Sequence, residues 1–98
     1  MSPRSDEAGK SGPRYTLVVP DHFERILKKL KRSKPSLLRD LQRGIEKVAA
    51  DPLLGKPLRN AFRNYRRVHV GSFVLLYELY EQEIRLLDFD HHDKIYKK

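Results

Sequence analysis

An α/β fold of the α+β kind, with two helices packed on one face of a mainly antiparallel sheet, is predicted by three features of this sequence. Two apolar stripes at helical spacing stand close together between residues 20 and 50. Three runs of strand-like residues follow, separated by short turn segments. The chain has 98 residues, enough for one domain with a modest core and too few for two.

The first fourteen residues, MSPRSDEAGKSGPR, are Pro, Gly, Ser and charge. They read as a disordered leader (1–14) before a single domain over 15–98. Tyr15 to Val19 is β-branched or aromatic and reads as a short buried strand. Pro20-Asp21 then opens a helix in which Phe23, Ile26, Leu27 and Leu30 form one stripe, with Arg25, Lys28 and Lys29 outside it. KRSKP interrupts that pattern, and Pro35 suits the first turn of a second helix, where its missing N–H is not needed. This helix runs to about Ala50 with a stripe of Leu37 or Leu38, Leu41, Ile45 and Val48, and Asp51-Pro52 ends it. Gly44 within it costs about 1 kcal/mol in helix propensity and marks close helix packing. So short a link makes the pair an antiparallel hairpin.

After LLGKPL the period changes from helix to strand in NYRRVHV, FVLLYELY and EIRLLDFD, with turns at Gly71-Ser72 and Glu81-Gln82. This is a three-stranded antiparallel meander, which the first strand joins to make four. In its opening strand Tyr65, Arg67 and His69 take one face and Arg66, Val68 and Val70 the other. The strand from Phe73 is apolar on both faces at its start and is expected at the centre.

The formal charge is +8, from 21 Lys and Arg against 13 Asp and Glu. From Pro52 to Tyr77 there is no acidic residue, whereas Lys56, Arg59, Arg63, Arg66, Arg67 and His69 all fall there. Such a block predicts a polyanionic partner, nucleic acid first. Cysteine is absent, which excludes disulfides and thiolate metal sites and fits a cytoplasmic location. The longest apolar run, FVLLY, is too short to span a bilayer, and no signal segment is recognisable, so no membrane partner is expected.

The chain ends in LLDFDHHDKIYKK. Alternation along a strand would point Asp88 and Asp90 one way and His91 the other, so no convergent metal site is expected here and no cofactor is implied. Histidine at neutral pH serves as acid or base, and arginine supplies a permanent fork of donors for phosphate. These residue types can move a proton and hold a phosphate.

A Tyr-containing first strand, then DPLLGKPLRN, YRRVHVGSFVLLYEL and DHHDKIY, in that order over residues 15–98, resembles the RelE/ParE superfamily of toxins from type II toxin–antitoxin systems. In the RelE branch the resemblance implies a ribosome-dependent endoribonuclease that cuts mRNA in the decoding site, with ribosome and mRNA as partners. It also implies silencing by a cognate antitoxin, acidic and RelB-like. In the ParE branch it implies a gyrase poison without nuclease chemistry. The RelE pattern of basic residues before the central turn falls on Arg67, the implied phosphate stabiliser, and His69. Its C-terminal cation or histidine falls on His92 as general acid or base, with His91 as alternate. Its terminal aromatic falls on Tyr96, as a stacking or orienting group. Lys56, Arg59, Arg63 and Arg66 are then expected to bind RNA phosphates. In one place the chain departs from the pattern: Val74 stands where many RelE-type toxins carry a central-strand arginine, which moves the chemistry towards the histidine-using members.

Overall fold

The computed structural model describes residues 15–58 and 64–95, so the expected leader lies outside the described residues. In chain order the elements are β1 (Thr16–Val18), α1 (Asp21–Ser33), α2 (Pro35–Ala50), β2 (Lys56–Pro57), β3 (Tyr65–Val70), β4 (Phe73–Tyr80), β5 (Glu83–His91) and α3 (His92–Ile95). The sheet has the order β1-β5-β4-β3-β2, with β4 at its centre as the apolar start of that strand requires. β1 runs parallel to β5 and the other neighbours are antiparallel.

The helical hairpin forms as its sequence dictates. Lys34 alone links the helices; its amide donates to the Leu30 carbonyl at 2.7 Å and its carbonyl accepts from the Leu38 amide at 3.0 Å. Pro35 then opens α2 without losing a hydrogen bond. α1 lies over β5 and α2 over β3. Between helices and sheet sits one apolar cluster containing Phe23, Leu30, Leu41, Val48, Leu75, Tyr77, Ile84, Leu86 and Phe89. A methyl group at Gly44 would meet Val70 Cγ2 at 3.3 Å, so the close packing at this glycine is against the sheet rather than, as expected, against a helix.

Two strand expectations need correction. β1 is an edge strand rather than a buried one: Leu17 is 40% exposed, and it is the flanking Tyr15 and Val19 that pack on the core. The sheet also has five strands rather than four, because Lys56-Pro57 from the LLGKPL segment pairs with Arg66 and Arg67. Two residues are too few for periodicity to reveal, and Pro57 is tolerated because its strand is at the sheet margin.

β5 carries a bulge that the residue pattern does not announce. Leu76 pairs with Asp88 while Tyr77 pairs with Leu86, leaving Leu87 as an extra residue. Ile84 and Leu86 before it, and Phe89 after it, therefore all face the helices, although their spacing breaks strict alternation. His22 Nε2 donates to the carbonyl of Leu87 at 2.6 Å, tying the start of α1 to the bulge.

Candidate functional site

Cross-strand partners in an antiparallel ladder share a face, so the register assigns each site residue to a side of the sheet. His69 pairs with Val74, which pairs with Asp90; Arg67 pairs with Leu76, which pairs with Asp88. Lys56 pairs with Arg67 from β2. These rows lie on the face turned away from the helices. Val74 is 0% exposed there, so the position of the missing arginine is a sealed apolar patch between His69 and Asp90.

His91 is on the opposite face. It pairs with Phe73, which pairs with Val70. Its ring meets Phe73 edge-on at 5.5 Å, and Phe73 stacks on Phe89 at 5.2 Å. Lys34 Nζ stands 5.6 Å from the Phe73 ring centroid. His91 therefore does not share the face of Arg67 and His69. Unbroken alternation from Ile84 and Leu86 would have put His91 on that face; the bulge at Leu87 reverses the parity.

His92 starts α3 at the end of the sheet. Its amide donates to the Ser72 carbonyl at 3.0 Å, fixing it to the β3–β4 turn three residues beyond His69. The turn itself requires Gly71, whose φ is +61°. The rings of His91 and His92 stack with centroids 4.6 Å apart. The Asp93 amide donates to His91 Nδ1 at 3.2 Å. The Asp93 carboxylate lies 3.1 Å from His92 Nδ1 and 3.6 Å from His91 Nδ1. About a third of the His91 side chain and half of that of His92 are exposed.

Arg66 does not face solvent with Arg67. Its Nη1 donates to the carbonyls of Gly55 at 2.5 Å and Leu53 at 3.3 Å, holding the loop between α2 and β2. Arg59, Arg63 and Tyr96 lie outside the described residues. Lys56, Arg67 and His69 instead join Arg43 and Lys47 of α2 around a hollow of about 410 Å³ at the β3 margin. Arg43 and Lys47 were missed, although their spacing of four residues already puts them on one side of a helix. A second hollow of about 490 Å³ lies between α1, β5 and α3; Lys29, Lys34, Phe73, His91 and Lys94 line part of it. Among the described residues no helix is long and apolar enough to cross a membrane.

This small α+β domain, with its order of strand, helical hairpin and antiparallel meander, is similar in fold to toxins of type II toxin–antitoxin systems. Residues 17–96 match the family described as the ParE toxin of the type II toxin–antitoxin system parDE. A relative from Methanocaldococcus jannaschii, named as a RelE4 toxin, is 33% identical over 86% of this chain and 93% of its own. The solved RelBE2 toxin–antitoxin complex of Mycobacterium tuberculosis is similar with a TM-score of 0.66 and 26% identity, covering 81% of this chain and 99% of that one. The DinJ–YafQ complex of E. coli shares the fold at a TM-score of 0.69 and 20% identity, covering 85% and 99%. The chain belongs to the RelE/ParE superfamily and is a toxin of the type II class.

Proposed function

We propose that this toxin is an mRNA interferase of the RelE branch, acting in the cytoplasm on ribosome-bound mRNA and silenced by an acidic, RelB-like antitoxin. The observation that carries the reading is the hydrogen bond from the His92 amide to the Ser72 carbonyl. It brings the C-terminal histidine pair to the same end of the sheet as His69. His92 is the general acid or base, with His91 as its alternate and His69 as its partner across the turn. Arg67 stabilises the phosphoryl group, and Lys56 with Arg43 and Lys47 guides the RNA backbone. Arg66, engaged with two loop carbonyls, supports the site rather than touching RNA. Tyr96 is assigned to stacking on or orienting a base, and Arg59 and Arg63 to phosphate contacts, on the family pattern.

The reaction needs no metal: the 2′-hydroxyl supplies the nucleophile, and imidazoles carry its proton away and return one to the 5′-oxygen. The test is toeprinting on translating ribosomes with wild type, His92→Ala and His69→Ala. His92→Ala should keep its melting temperature and its antitoxin binding yet cleave roughly 10²- to 10⁴-fold more slowly, the usual contribution of general acid–base catalysis. A folded His92→Ala protein that cuts at the wild-type rate removes His92 from the assignment and moves it to His91.

A second reading, a ParE-like toxin that binds its target without cutting RNA, is favoured by Val74. That residue puts a buried apolar side chain where many RelE-type members have a guanidinium. Inhibition of gyrase supercoiling with no ribosomal cleavage by the wild-type protein would select it.

A further inference from the structure

The expectation that His91 cannot converge with its neighbours holds only while the chain remains a strand. At His92 the chain turns into α3, and a helical turn brings side chains round that a strand would separate. As a result, donor atoms of His91, His92 and Asp93 all lie within 4.8 Å of one another. We infer that His91, His92 and Asp93 form a binding site for one divalent transition-metal ion of the zinc type, and that occupancy of this site shuts off the toxin. The inference deepens the reading of His92 as the proton-transfer group and rests on it for its second half.

The chemistry selects the ion. Two imidazoles and a carboxylate suit zinc and similar borderline ions, whereas magnesium and calcium prefer oxygen donors and several waters. With zinc–nitrogen and zinc–oxygen bonds near 2.0–2.2 Å, adjacent donors of a tetrahedral ion stand about 3.3 Å apart. Asp93 Oδ1 is 3.1 Å from His92 Nδ1 and Asp93 Oδ2 is 3.6 Å from His91 Nδ1, so a turn of the carboxylate is needed for one oxygen to join both nitrogens. The amide of Asp93 donates to His91 Nδ1, and this hydrogen bond is given up when the ion arrives. His91 is backed by the Phe73 ring, and the bond from the His92 amide to the Ser72 carbonyl fixes the backbone from which the other two donors extend. Lys34 and Lys94 line the adjacent hollow together with Asp88 and Asp90, and the lysine charges limit the affinity. Three protein ligands leave a fourth position for water. The lone pair of His92 that would carry a proton during RNA cleavage is then engaged by the ion, so the metal inhibits rather than activates.

The experiment uses the full-length untagged protein and zinc sulfate. Isothermal titration is expected to show one zinc per chain. Long-range proton–nitrogen spectra should shift the imidazole nitrogens of His91 and His92 and leave those of His22 and His69 in place. Asp93→Asn and His92→Gln change exposed groups and should melt near wild type, while weakening zinc at least by the roughly 10- to 100-fold that loss of even an outer-sphere partner costs. His69→Ala should bind zinc as wild type does. Unsaturable binding, half an equivalent per chain, or unchanged affinity in both site variants overturns the site. In the cleavage assay stoichiometric zinc should stop the wild-type toxin and EDTA should restore it. Cleavage that continues with zinc bound overturns the regulatory half. Absence of cleavage with and without zinc, alongside normal binding, instead refutes the nuclease reading and leaves the metal site standing.

Discussion

The Tyr77 hydroxyl, at 0% exposure for its residue, donates to the Pro52 carbonyl at 2.6 Å and accepts from the Gly55 amide at 3.0 Å. One phenol thereby anchors the loop that delivers Lys56 to the sheet margin. Gly55 has to be glycine for this approach, because a Cβ there would stand 2.6 Å from that oxygen and 2.9 Å from the Arg67 carbonyl. Tyr77→Phe keeps the ring but leaves a buried carbonyl and amide without partners, so stability should fall by about 1–3 kcal/mol in urea titration. Burial is the largest influence on the hydroxyl and raises its pKa above the ordinary 10.0, against the lowering effects of the Gly55 amide and Arg66. The folded state thus holds this proton more tightly than the unfolded state. The resulting stabilisation is complete below about pH 10, the unfolded value, and is lost as pH rises through the folded value. The difference in stability between wild type and Tyr77→Phe should therefore shrink above pH 10; a difference that grows there contradicts the assignment.

Among the elements, α2 packs closely on β3 at Gly44, and both Gly44 and Val70 line the hollow beside that contact. Gly44→Val adds bulk 3.3 Å from the Val70 methyl and β-branching inside a helix, and should cost about 1–3 kcal/mol. Thermal melting reads the cost, and an unchanged melting point shows that α2 can shift without penalty. Gly44 was legible as a point of close packing, because a glycine inside an apolar helical stripe weakens the helix, but helical spacing alone did not tell that the neighbour is a strand rather than a helix. Both helices were legible for a related reason: the stripe from Phe23 to Leu30 repeats long enough to fix a period, and Pro35 marks a start. The meander followed from residue types and turns. β2 was hidden because two residues have no period. The bulge was hidden because Asp88 and Asp90 alternate as well as Ile84 and Leu86 do, and only the ladder shows that Leu87 separates two frames of opposite parity. That one residue divided the predicted site, sending His91 to the helical face while His69 and Arg67 took the other. The convergence of Asp93 with the histidines was hidden for a third reason, since it depends on where the strand ends and α3 begins.

For the whole molecule, the net charge of +8 matters less than its distribution. Cations from three elements, Arg43 and Lys47 of α2, Lys56 of β2 and Arg67 of β3, share one hollow. Lys29 and Lys34 at the end of α1 and its link, with Lys94 of α3, share the other. The β3–β4 turn, where His92 is bonded, offers a route for an RNA strand past both. A strand neutralised at several phosphates releases condensed counterions, so affinity for RNA should fall steeply with salt. Contacts to 6–10 phosphates predict a loss of about 10³- to 10⁵-fold between roughly 50 and 200 mM salt. Single substitutions then locate the path. Replacing a lysine that touches phosphate should weaken binding evenly across sequences and lower the salt slope by about one. If RNA enters along β3, Lys56→Ala and Lys47→Ala should each show this reduction while Lys94→Ala does not. If it enters along α1, the pattern reverses, and the hollow beside His91 becomes the binding track. Equal reductions at all three positions mean that the strand crosses the turn and uses both hollows. Affinity that stays constant over this salt range refutes electrostatic capture by either hollow, and the basic surface would then be left to an acidic protein partner such as the antitoxin.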